Sequence, residues 1–98
     1  MAVKKIDKEK LEQAAEVFKG FGNPIRILII NELHNRKLRV MEISKLLGYT
    51  QPIISQQLKI LKSVGIVYKI REGNSSRYAL TSHHFSDMIK CMRSCLGI

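Results

Sequence analysis

Between Val40 and Ser63 the chain reads VMEISKLLGYTQPIISQQLKILKS, two runs of apolar residues at helical spacing interrupted only around Gly48. Val40, Ile43, Leu46 and Leu47 form the apolar side of the first run, and Ile54, Leu58 and Leu61 that of the second. Thr50 stands at the N-cap of the second run and Pro52 in its first turn, where a missing N–H is harmless. A glycine-containing break this short forces two helices to cross sharply over a shared core, and the pair reads as a helix-turn-helix. Gly65 ends the second run and the period then changes. IVYKIRE and SSRYALT are strand-like, and the Gly-Asn between them is a hairpin signal.

The flanking segments return to helical period. DKEKLEQAAEVFKGFG carries Leu11, Ala14, Ala15 and Phe18 on one side and stops at Gly20 and Gly22. Asn23 caps a second helix that starts on Pro24 and whose expected apolar face is Ile25, Leu28, Ile29 and Leu33, closed by the basic run HNRK. In SHHFSDMIKCMRSCLGI the expected apolar face is Phe85, Met88, Ile89, Met92 and Leu96. His84, Cys91 and Cys95 form a second stripe, and Ser86, Lys90, Arg93 and Gly97 lie opposite. The expected fold is mainly α with a small β-hairpin wing, in the order α-α-α-α-β-β-α: a winged helix-turn-helix with a terminal helix on each side. At 98 residues, the chain is expected to be one domain spanning 1–98.

Charge narrows the function. Seventeen Lys and Arg against eight Asp and Glu give a formal net charge of +9 and favour polyanionic partners. No acidic residue occurs between Glu42 and Glu72. On the fourth helix Pro52, Ser55, Gln56, Lys59 and Ser63 lie beside or opposite the apolar side. Serine and glutamine can meet base edges in a major groove and lysine can meet phosphates, whereas a carboxylate there would repel the backbone. The expected partner is double-stranded DNA. Thr50, Gln51, Pro52 and Ile53 enter the groove first, Ser55, Gln56, Lys59 and Lys62 follow along the helix, and Arg71, Asn74, Ser75, Ser76 and Arg77 form a basic wing tip for backbone or minor-groove contact. A solvated helix surface beside a purely structural hairpin is the bland alternative. The rival function class is a winged-helix protein-interaction module without sequence preference. An enzyme is not expected, since there is no Gly-rich phosphate loop, no nucleophile with a paired base and no carboxylate cluster. MAVKKIDKEK leads into no apolar signal segment, and no run approaches a membrane span. Cys91 and Cys95 are the only cysteines, a poor staple for a secreted fold, so the cytoplasm is expected.

NPIRILIINEL, ISKLLGYTQPIISQQLKILKSVGIV and REGNSSRYAL together resemble the ArsR-type winged-helix repressors of bacteria and archaea, over roughly Phe18 to His84. The resemblance implies a homodimeric transcriptional regulator whose first and last helices form the dimer interface. It also implies a pseudo-palindromic operator, repression as the default, and in many members release from DNA by an effector. One metal site of such proteins needs a Cys-x-Cys pair where this chain has Arg39 and Met41, so that site is absent. A second, on the last helix, would match His84 and Cys95 but has Ser82 and Ile98 at its other two positions. His84 and Cys95 lie about 16 Å apart along a helix axis, so only an antiparallel pairing of two subunits could bring them together, with Cys91 as a further ligand. Zinc or copper(I) would suit that set. Against it stands plain packing of His84, Cys91 and Cys95 in a dimer interface, with no cofactor required. Thiol or redox sensing through Cys91 and Cys95 is a third reading, and a regulator without a small effector a fourth. His83 reads as solvated or capping, and His34 as a helix-end residue.

Overall fold

The computed structural model describes residues 5–98; the first four residues of the expected domain lie outside the described residues. The elements are α1 (Lys8–Gly20), α2 (Pro24–Glu32), α3 (Val40–Leu47), α4 (Gln51–Ser63), β1 (Val67–Glu72), β2 (Ser75–Leu80) and α5 (His83–Leu96). This is the expected order, and the architecture is a winged helix-turn-helix. Three helix starts carry side-chain caps: Asp7 accepts from the Glu9 N–H at 2.9 Å, Asn23 from the Ile25 N–H at 2.9 Å, and Ser82 from the His84 N–H at 3.2 Å. Each satisfies an orphan donor and fixes where its helix begins.

Two glycines set the turns. Gly48 adopts φ 77° at the end of α3, a left-handed conformation that costs a Cβ-bearing residue, and the Ser44 hydroxyl donates to the Tyr49 carbonyl to close the turn. Glu72 pairs with Ser75, so Gly73 and Asn74 form a two-residue hairpin loop with Gly73 at φ 60°. Glycine at the first central position, with φ negative at the second, suits a II′ turn, whose twist matches the strands. Leu38 and Tyr78 exchange backbone hydrogen bonds of 3.0 and 2.8 Å, so the α2–α3 connection forms a short third edge on the wing, which the sequence reading did not include.

The core gathers Ile29, Ile30 and Leu33 of α2, Ile43 of α3, Ile54, Leu58 and Leu61 of α4, then Ile66, Val67 and Ile89. The expected face of α2 needs correction: Ile30 is buried and Leu28 is 40% exposed. PIRILIINE is apolar almost all round, so the buried arc is chosen by the elements packed on it, with α3 and α4 on one side and α5 on another. Ser86 is likewise not outward but 3% exposed, one turn before Ile89 on the side of α5 that meets α2. Its hydroxyl donates to the His83 carbonyl at 2.8 Å and lies 3.0 Å from His34 Nδ1, which makes its burial tolerable. Leu46 and Leu96 are exposed, and so is the apolar stripe of α1, with Phe18 63% exposed. Gly20 is the one buried residue of α1, packed so closely on Ile66 that a Cβ there would come 2.5 Å from its side chain, which is why the position takes glycine.

The left-handed Gly48 gives a direct test. Gly48→Ala should cost about 1–2 kcal/mol of stability, the penalty of a Cβ in that conformation, and Gly48→Asn less. Urea unfolding of both variants reads the difference; an unchanged midpoint for the alanine variant would contradict the turn geometry.

Candidate nucleic-acid interface

α4 is divided lengthwise. Ile54, Leu58 and Leu61 are fully buried, while Gln51, Pro52, Ile53, Ser55, Gln56 and Lys59 are exposed. The two adjacent glutamines have different surroundings. Gln57 is half-buried and accepts a 3.0 Å hydrogen bond from Arg26 Nη1, which leaves Gln56 as the outward one. Arg26 also donates from Nε to the Gly20 carbonyl at 2.9 Å and from Nη2 to the Lys19 carbonyl at 3.0 Å. One guanidinium thus satisfies the end of α1 and ties it to α4, using the fixed fork of donors that a lysine lacks.

The start of α4 differs from those of α1, α2 and α5 in its cap. Thr50 is extended, at φ −65° and ψ 153°, but its side chain makes no capping hydrogen bond; like those of α2 and α5, its first turn holds no acidic residue. Pro52 has no N–H. The amides of Gln51 and Ile53 therefore point out of the positive end of the helix dipole without a partner from Thr50, an arrangement suited to a phosphate. The nearest carboxylates in sequence are occupied: Glu42 accepts from the Arg39 N–H at 2.9 Å, and Glu72 stands 3.2 Å from Arg77 Nε.

Thr50, Gln51, Pro52, Ile53, Ser55, Gln56 and Lys59 are brought to one exposed side. Lys62 lies at the far end, beside Gln13 and Glu16 of α1. On the wing, Arg71 faces Ser76 and Ile70 faces Arg77 across the strands, so the two arginines lie on opposite faces of the hairpin. Asn74 is exposed at the tip, Ser75 and Ser76 are half-buried, and Ser75 donates to the Glu72 carbonyl at 3.2 Å. The opposed arginines follow from a two-residue loop combined with period-two alternation, both readable in the sequence.

On α5, His84, Cys91 and Cys95 are all exposed. His84 stacks on His83 with ring centroids 4.1 Å apart, and Asp87 Oδ2 lies 3.9 Å from His83 Nε2 and 3.9 Å from His84 Nδ1. Donor atoms of His83, His84 and Asp87 fall within 4.8 Å of one another. His83 and Asp87 were not among the expected ligands, although H-H-x-x-D puts all three on one turn. His34 is more than a helix end. Ser86 gives its only proton to the His83 carbonyl, so His34 Nδ1 must donate to Ser86, and Nε2 accepts from Asn35 at 3.1 Å.

Residues 23–69 match the family of bacterial regulatory proteins called the arsR family. The chain belongs to that family. It is 41% identical over 83 residues to an uncharacterized HTH-type transcriptional regulator of Methanocaldococcus jannaschii, covering 84% of this chain and 93% of that one. It is 35% identical over 82 residues to the HTH-type transcriptional repressor SmtB of Mycobacterium tuberculosis, a match that spans 84% of this chain and 61% of that repressor. The homodimeric winged helix-turn-helix DNA-binding domain solved from Mycobacterium bovis superposes with a TM-score of 0.81 at 26% identity, over 99% of this chain and 91% of that one. This ArsR-family chain is a DNA-binding transcriptional regulator. Among the described residues no helix is long and apolar enough to cross a membrane.

The uncapped start of α4 separates stability from binding. Thr50→Asp should stabilise the fold by about 0.5–1 kcal/mol through the missing cap. It should weaken DNA binding by about tenfold, because a carboxylate then holds the amides and repels phosphate. Urea unfolding and fluorescence anisotropy with labelled duplex read the two effects; a variant that is both more stable and as tight on DNA would exclude the helix start from the contact.

Proposed function

We propose that this regulator is a repressor that binds a pseudo-palindromic operator in the cytoplasm, where its DNA target is. The start of α4 enters the major groove of each half-site and the wing lies on the flanking backbone. The single observation that supports this most is the outward face of α4: uncapped amides, Gln56, Ser55 and Lys59 exposed, and no carboxylate on the helix. α1 and α5 form the dimer interface in this reading, because Leu11 and Phe18 of α1 and Leu96 of α5 are exposed apolar side chains that a second copy would cover. The site residues are Thr50, Gln51, Pro52, Ile53, Ser55, Gln56 and Lys59, with Arg71 and Asn74 on the wing. The chain works by binding, and the exposed groups of α4 serve recognition rather than catalysis.

One observation favours a metal as effector. His83, His84 and Asp87 offer two imidazole nitrogens and a carboxylate oxygen from one turn, a set that fits zinc with a fourth ligand from water or a partner. That set is more compact than His84 with Cys91 and Cys95, whose thiols lie further along α5. Bound there, a metal would sit at the junction of the wing and α5.

Operator binding tests both readings. Gln56→Ala should lose discrimination between operator and mutated sites, about 1–3 kcal/mol at one base pair. Lys59→Ala should weaken all sequences alike and lower the slope of log affinity against log salt by about one. Intact affinity in both variants would sink the docking. The same assay with Zn²⁺ separates the effectors: release from DNA that disappears in Asp87→Ala supports the histidine cluster, release that disappears in Cys95→Ser supports the thiol stripe, and indifference to Zn²⁺ removes zinc sensing.

A further inference from the structure

The wing face that carries Ile70 and Arg77 borders an open cleft of about 470 Å³, closed on its other sides by the α2–α3 connection and the first turn of α5. Its apolar lining is the half-exposed ring of Tyr68 with Ala79 and Leu80 beside it and the buried Leu33 beneath, and its rim carries Arg36, Lys37, Arg77 and His83. No carboxylate lines it. Glu32 and Glu72 hold Arg36 and Arg77 from outside the cleft, and Asp87 lies 3.9 Å from His83 Nε2. Lys37 has no carboxylate partner among the described residues. Arg77 Nε is shut off from solvent and completes no hydrogen bond, although Glu72 Oε1 stands 3.2 Å away. A buried, unsatisfied guanidinium N–H is costly unless an acceptor reaches it.

The volume is that of a small-molecule site, larger than a single ion needs, and cations beside an apolar lining select for charge and for body at once. We propose that this cleft binds a small organic anion, a carboxylate or phosphate carried on an apolar body. The anionic group lies against Arg77 and Lys37, and the body lies against Tyr68 and Ala79. DNA supplies phosphates too, but a backbone phosphate carries no separate apolar body to lie along the cleft, and Arg71, on the opposite wing face, is the exposed arginine of the hairpin. The occupant touches the wing, the α2–α3 connection and α5 together. Its meaning as an effector rests on the operator-binding reading above, whereas its binding does not.

The test therefore omits DNA. The full-length protein in metal-free buffer is titrated with benzoate, phenyl phosphate and inorganic phosphate, and amide and arginine Nε–H signals are followed by NMR. Saturable shifts at Arg77 Nε–H and at the Lys37, Ala79 and His83 amides are expected, at lower concentration for the ring-bearing anions than for inorganic phosphate. Lys37→Gln and Arg77→Gln should each weaken binding about tenfold, the loss of one charge-assisted contact. Lys37 is exposed outside the regular elements, so its variant keeps the fold even where Arg77→Gln loosens the wing. Three results would overturn the proposal: shifts that never saturate and spread over the lysines of α4, inorganic phosphate binding as well as phenyl phosphate, or cleft signals that respond only to duplex DNA.

Discussion

The burial of Ile54, Leu58 and Leu61 decides how α4 is presented, and the recognition surface depends on it. All three are fully buried against α2, α3 and the base of the wing. At roughly 1.5–3 kcal/mol for each buried side chain, rotating α4 about its axis would forfeit an amount comparable to the net stability of a domain. The helix therefore has one orientation. Gln56 and Lys59 face outward because the opposite side is committed to the core. Arg26 adds a second restraint by joining Gln57 to the end of α1, so the helix proposed to read DNA is linked to the helix whose apolar stripe stands exposed.

Electrostatics complete what packing starts. Within the helix-turn-helix and wing, Glu42 and Glu72 are the acidic residues bounding the long stretch without one, and both are engaged by the chain itself, at the start of α3 and against Arg77. α4 keeps its dipole end uncapped while the other long helices cap theirs. A cap is worth on the order of 1 kcal/mol, so omitting it is a small loss of stability at the helix start proposed to meet a phosphate.

Most of the fold was legible because its signals are local. Helical spacing, the cap at Asn23, the glycines at 48 and 65 and the Gly-Asn hairpin each act within a few residues, whereas Thr50 takes the expected N-cap position without the expected side-chain hydrogen bond. The faces of α2 and α5 were harder to read. In PIRILIINE nearly every residue is apolar, and only the neighbours supplied by the fold choose Ile30 over Leu28. Ser86 looks like surface until His34, far away in sequence, is placed beside it. The outward face of α4, with its missing carboxylates, was readable from the sequence. The separation of Arg71 from Arg77 follows from the two-residue loop and strand alternation, whereas the meeting of Arg36, Lys37 and Arg77 around one cleft required the tertiary fold.

The most direct measurement is amide NMR mapping of the reduced protein during titration with its own promoter duplex. The largest changes should fall on Gln51, Ile53, Ser55 and Gln56, with a smaller set at Arg71 and Asn74. Changes concentrated on α1 or α5, with the start of α4 unmoved, would contradict the assignment of α4 as the DNA-reading element.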